Sequence, residues 1–164
     1  MNLAPMSYTQ VVNHDPPIFC IGFSGGLDNA KDSLRNLYDS KECKYDDLVL
    51  SSLISDGYHI GTINIVSEHF IEAANATSIN APYGVSEWAL TGLHPAPTTT
   101  VKAPRVAESI FSIEGKLLET REFESKAKPG VKTGVLAIVE GTHFWVREDA
   151  INEEKSQIDP AVST

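Results

Sequence analysis

Residues 23–36, FSGGLDNAKDSLRN, set two glycines behind an apolar run and then carry Lys31, Ser33 and Arg35 into a helix-like segment. Three kinds of chemistry use such a pattern. A nucleotide-binding P-loop needs glycine directly before the lysine and a hydroxyl directly after it. Here Ala30 precedes Lys31 and Asp32 follows, and an acidic neighbour opposes metal-bound phosphates, so that chemistry is excluded. Gly22-Phe23-Ser24-Gly25-Gly26 matches G-x-S-x-G, which would make Ser24 the nucleophile of a serine hydrolase, with an acid and then a histidine such as His143 downstream. Against it stands the region beyond residue 100, which reads as consecutive strands where a hydrolase of that type needs strands alternating with helices. The third reading is an anion cradle: free amides and the positive end of a helix hold a phosphate, closed by Lys31 and the Ser33 hydroxyl. The same spacing also describes a plain solvated helix face, and spacing alone leaves the two open.

The rest of the chain offers little other chemistry. Cys20 and Cys43 are the only cysteines and are not spaced C-x-x-C, and the five histidines form neither H-E-x-x-H nor a pair at helical ligand spacing, so neither a disulfide framework nor a metal site is expected. With 22 acidic against 13 basic side chains the net charge is -9, which repels a polyanionic backbone and makes nucleic acid an unexpected partner. No run approaches 18 apolar residues and MNLAPMSYTQ lacks the pattern of a secretory signal. The expectation is a cytoplasmic protein with no membrane partner, built as one domain over 1–150 followed by a flexible C-terminal tail, 151–164.

Positioning the glycine turn requires strands before it and a helix after it. Strands are predicted at 8–12, 18–23, 62–66, 110–118, 132–140 and 142–146 from β-branched and aromatic enrichment, with a bend, bulge or hairpin at Gly141. A helix near 28–40, capped by Asp28 or Asn29, places Leu34, Leu37 and Tyr38 on one face; a second follows Ser67 as its N-cap, and a short helical turn is predicted within 86–93. Four prolines between Ile79 and Pro104 make most of that stretch irregular, while Tyr83, Val85, Trp88, Leu90 and Leu93 supply apolar surface to dock it.

NLAPMSY (2–8), HDPPIFCIGFSGG (14–26), AKDSLRN (30–36), INIVSEHFIEAANATS (63–78), GVSEWALTGL (84–93) and KAPRVAESIFSIEGKLL (102–118) follow one another in an order that resembles the flavin reductase-like, FMN-binding split-barrel family. No single motif is diagnostic; the ordered set carries the resemblance. It implies a mainly β fold, an antiparallel Greek-key split barrel with two or three peripheral helices. It also implies a homodimer holding FMN and reducing it with NADH or NADPH as a transient co-substrate. Asn2, Ala4 and Ser7 match the segment that lies along the flavin ring and ribityl chain in relatives, Lys31 and Ser33 match the phosphate-binding pattern, and Asn75, Thr77 and Ser78 match a stretch that borders the flavin. Flavin performs its own hydride chemistry, so the protein needs orientation, hydrogen bonds and a charge trap more than an acid or nucleophile. A non-catalytic flavin-binding or scaffold remnant of the same fold is the alternative.

The resemblance breaks in three places. Relatives carry an upstream strand before Asn-Leu-Ala-Pro, so the barrel is expected to be incomplete at its N-terminus. Residues 44–61, KYDDLVLSSLISDGYHIG, look inserted, and both departures read as products of an incorrect gene model. Trp145 stands where many relatives place a histidine, so no role of that histidine transfers; core or loop packing is the reading for Trp88 and Trp145.

Overall fold

Burial alternates residue by residue along the second strand and along the last, and this sets the architecture. The computed structural model describes residues 3–30, 32–39, 60–79, 82 and 85–163. Five antiparallel strands, β1 (Thr9–His14), β2 (Pro17–Ser24), β3 (Ile60–Asn64), β6 (Phe111–Glu124) and β7 (Lys132–Val146), form a sheet in the order β1-β2-β7-β6-β3. A separate two-stranded ribbon, β4 (Pro95–Ala96) with β5 (Arg105–Val106), is held to β3 by Val106 N donating to Asn64 Oδ1 at 2.9 Å. Phe19 and Ile21 of β2 and Ala137 and Val139 of β7 sit at period-two spacing, and with Ile113 of β6 they make the core of one sheet face. Helix α1 (Asp32–Asp39) covers this face with Leu37, and its Leu34 is fully buried. A second core joins Phe70 and Ala74 to Leu93 and Val106, uniting α2 (Ile71–Ala76) with the ribbon. Short α3 (Glu87–Thr91) contributes Trp88 to it.

The two strands expected at 132–140 and 142–146 are one, β7, and Gly141 lies inside it. Glu114 pairs with His143 and Gly115 with Gly141, so Thr142 is the extra residue of a bulge. A side chain at 141 would crowd its neighbours, since a Cβ there would meet Phe144, Phe19 and Ile113 at 2.9, 3.1 and 3.2 Å. β6 runs to Glu124, beyond the expected end at 118, because its distal half pairs with the start of β7 through the backbone ladder and a Lys132–Glu124 ion pair at 3.2 Å. That half is polar or exposed on both faces and so carries no alternation to read. In the proline-rich stretch Leu93 docks into the second core as expected, whereas Val85 and Leu90 stay exposed. Ile60 and Gly61, expected to belong to the inserted segment, pair with Lys116 and Gly115 and are part of β3. The remainder of that segment lies outside the described residues. Residues 150–159 fold back on themselves, with an Ile151–Ile158 bridge, Asp159 N donating to Ala150 O at 2.8 Å and Ser156 N and Gln157 N donating to the Asn152 side-chain oxygen. No helix among the described residues is long and apolar enough to cross a membrane.

Candidate functional site

The strip Leu3–Tyr8 that leads into β1 alternates between anchored and outward residues. Leu3 and Met6 are half-buried; Ala4, Pro5, Ser7 and Tyr8 are exposed. Leu3 packs on the second core, beside Ala74 of α2, and its amide donates to the Glu87 carboxylate at 3.2 Å. Met6 packs on the sheet core, which Leu37 of α1 also enters. A strip of a few residues thus ties the α2 side of the molecule to the α1 side and turns Ala4 and Ser7 outward.

At the end of α2 the helix closes on itself. Thr77 N and Thr77 Oγ1 both donate to Ala74 O, at 3.2 and 2.7 Å, and Ser78 N donates to Asn75 O at 3.0 Å. Thr77, only 5% exposed, therefore does the capping. This leaves the Asn75 and Ser78 side chains exposed, with no hydrogen-bond partner among the described residues. Ser67, expected as a side-chain cap, instead shares a 2.9 Å hydrogen bond between its hydroxyl and His69 Nδ1.

The glycine turn departs from expectation. A continuous helix from residue 28 does not form: a 3-10 turn spans Leu27–Asn29, Ala30 is extended (φ -60°, ψ 131°), and α1 begins at Asp32. The cause is docking onto the β6–β7 hairpin. Gly25 N donates to Thr133 O at 3.0 Å and Leu27 N to Glu122 Oε1 at 2.9 Å, and the chain must leave the hairpin before it can start a helix. Ala30 N is already spent on Leu27 O at 3.2 Å. Gly25, at φ 89°, adopts a left-handed conformation that suits glycine. Gly26 is required for close packing, because a Cβ there would come within 2.5 Å of Lys132 Cβ. The glycines thus serve contacts within the protein. Ser33 is half-buried as the second residue of α1; Asn2 and Lys31 lie outside the described residues.

Ser24 is no elbow nucleophile. It ends a strand of an antiparallel sheet, opposite Gly134. His143 is on the same β7, nine residues further along, roughly 30 Å away at the usual rise per strand residue.

Two carboxylates that sequence reasoning missed organise the rest. Glu114, 0% exposed, accepts from Thr99 N at 2.7 Å, Thr100 N and Thr100 Oγ1 at 2.5 Å, and Trp145 Nε1 at 2.6 Å. Burial alone would raise its pKa, but the Thr100, Thr99 and Trp145 donors outweigh it and hold the group at about 2. Glu114 is therefore an anionic anchor for the loop before β5 and no proton donor near neutrality. Trp145, capped by the Arg105 guanidinium 4.6 Å from its ring and by His143 edge-on at 5.0 Å, is committed to packing as expected. The second carboxylate is Glu87, 2% exposed. Its one sequence signal is a carboxylate inside an otherwise apolar turn, SEWALTGL.

A cleft of about 510 Å³ opens beside α2, lined by Glu68, His69, Phe70, Glu72, Leu93 and Glu108 among others. Burial pushes the Glu108 pKa up, but the His94 ring at 2.6 Å and the His94 backbone amide bring it below the usual range. Three carboxylates repel a phosphate, and among the described residues none of the sequence-derived site residues lines this cleft.

Comparison with known proteins addresses the family. A protein of Aquifex aeolicus, itself uncharacterized, is 35% identical over 118 residues, which is 71% of this chain and 51% of that protein; the chain spans about half the length of this curated relative. Among solved structures, nitrilotriacetate monooxygenase component B from Bacillus cereus aligns over 98% of this chain and 69% of its own with a TM-score of 0.79 at 22% identity. A protein of Shewanella frigidimarina NCIMB 400 with a split barrel domain aligns over 99% and 68% with a TM-score of 0.68 at 21% identity. An FMN-binding protein from Thermus thermophilus aligns over 93% and 67% with a TM-score of 0.62 at 12% identity. These likenesses establish the split-barrel fold. The model of the flavin reductase like domain matches residues 1–160, nearly the whole chain, and the protein belongs to that family.

Proposed function

We propose that this chain binds FMN and acts as a flavin reductase-type oxidoreductase that takes hydride from NADH or NADPH. The observation that carries the reading is the strip Leu3–Tyr8: anchored on both cores, it links the neighbourhoods of α1 and α2 and presents Ala4 and Ser7 outward between its anchors. Around it the available groups suit the cofactor. Asn75 and Ser78, without partners among the described residues, offer an amide and a hydroxyl to a ring edge, and Ser7 offers a hydroxyl to the ribityl chain. Thr77 has spent its proton on Ala74 and can only accept. Ser33 with Lys31 would hold the phosphate at the start of α1. Asn2 and Ala4 complete the set along the ring.

FMN supplies hydride and electron transfer when bound, and the protein's part is to orient it and neutralise its phosphate. Glu114 keeps its charge throughout. Homodimer assembly and a cytoplasmic setting belong to the same reading. One observation favours a second reading, a flavin-binding scaffold without turnover: the amides of the glycine turn at Gly25, Leu27 and Ala30 are already bonded within the protein, which leaves a smaller phosphate grip than a full cradle.

Titrating the protein with FMN while following flavin fluorescence and melting temperature tests the proposal. At a hundredfold excess over Kd, binding to the native state adds about 2.7 kcal/mol and raises Tm by about 5–10 °C for a domain of this size. Protein that neither quenches FMN nor melts higher removes the reading. Quenching without FMN-dependent oxidation of NADH or NADPH supports the scaffold alternative.

A further inference from the structure

The structure assigns to Glu87 a positioning role: its buried carboxylate tethers the N-terminal strip so that Ala4 and Ser7 are held ready for the flavin. This role rests on the proposed binding of FMN. Glu87 is the first residue of α3, in the proline-rich stretch, and is 2% exposed. Its Oε2 accepts the amide of Leu3, 84 residues away in the chain, at 3.2 Å. The Leu3 side chain seats on Phe70, Ala74, Leu93 and Val106, the same core that Trp88, next to Glu87, enters. The strip is therefore gripped twice at one residue, by an apolar side chain and by a backbone hydrogen bond. Beyond Leu3 the next anchor is Met6 on the other core.

Without the Glu87 acceptor the Leu3 amide loses this hydrogen bond, and the strip is held less firmly where Leu3 meets the second core. A segment held less firmly samples more conformations, and a ligand that needs one of them pays the ordering cost on binding. Glu87 removes that cost in advance. Its hydrogen bond goes to the backbone of Leu3, so it acts through the strip and not on the cofactor.

The test compares four full-length proteins: wild type, Glu87→Gln, Glu87→Leu and Ile110→Ala. Glutamine keeps an oxygen acceptor for Leu3 N; leucine does not; Ile110, 4% exposed, belongs to neither of the two cores that anchor the strip, so Ile110→Ala lowers stability without removing an anchor. Three readouts are taken: FMN Kd by fluorescence quenching, Tm, and hydrogen exchange of the N-terminal peptide. The expected result is a Kd raised about tenfold or more in Glu87→Leu, with faster exchange at Leu3, and a Kd within about threefold of wild type in Glu87→Gln. Ile110→Ala is expected to lower Tm at least as much as Glu87→Leu while changing Kd less. A Glu87→Leu protein that binds FMN as wild type does, or an Ile110→Ala protein that loses as much affinity for the same loss of Tm, overturns the positioning role. Wild-type protein that takes up no FMN instead overturns the FMN reading and this role with it.

Discussion

The two faces of β6 bury side chains equally and hold them by different physics. Ile113 enters the sheet core with Phe19, Ile21, Ala137 and Val139 and is 2% exposed. Its neighbours Ser112 and Glu114, at 1% and 0%, turn to the other face, where Ser112 Oγ donates to Asn64 Oδ1 at 2.8 Å and Glu114 gathers donors from Thr99, Thr100 and Trp145. On the first face stability scales with apolar area removed from water and tolerates exchange of shape. On the second every donor has one named acceptor, so an isosteric change that alters hydrogen-bond chemistry is felt at once. The apolar face secures α1 and Met6; the polar face secures, through Thr99 and Thr100, the loop that joins β4 to β5.

The largest effect expected from breaking this contrast is Glu114→Ala. It strands two backbone amides, a hydroxyl and an indole N–H, and should cost about 3–5 kcal/mol in urea unfolding. A loss below about 1 kcal/mol would mean water replaces the carboxylate and the polar face is not specific. Ile113→Ala comes next, at about 3 kcal/mol from lost transfer energy and the cavity left behind. The conservative pair sharpens the point. Glu114→Gln, which aims an NH2 group at existing donors, should remain costly, about 2 kcal/mol, whereas Ile113→Val should cost only about 1 kcal/mol. If the two conservative changes cost the same, the faces are not held differently.

Acidity gives an independent handle. The folded pKa of Glu114, about 2, lies below its ordinary value of 4.5. A depressed carboxylate stabilises the fold fully above the unfolded pKa and loses that contribution as pH falls from about 4.5 towards 2. Wild type minus Glu114→Gln stability should therefore be flat from about pH 7 to 5 and shrink below it. A difference that stays constant to about pH 3 would show that the carboxylate is not held ionised.

How far the sequence goes depends on the range of each interaction. β2 and β7 were legible because β-branched and aromatic residues such as Ile18, Phe19, Ile21, Val135, Ile138 and Val139 crowd into short stretches. The helix near Leu34 and Leu37 was legible from an equally local pattern. The break at Ala30 was not, because it is imposed by Thr133 and Glu122, about a hundred residues on. Glu114 sits inside the apolar run IFSIEGKLL, where an isolated acid reads as a solvated position; its donors are 14, 15 and 31 residues away. Glu87 faces Leu3 across 84 residues. Most of the candidate site residues rest on resemblance, and beside them the structure packs Leu3, next to Ala4, on the core that Ala74 of α2 enters. It also shows that Thr77, and not Asn75, caps that helix.

The most direct test of the account is the FMN dissociation constant of the Lys31→Ala, Ser33→Ala double variant beside wild type. If the start of α1 holds the phosphate, Kd rises about a hundredfold, since two charge-assisted contacts are lost, while Tm without ligand changes little. An unchanged Kd in a folded double variant would contradict the placement of the cofactor on this part of the molecule.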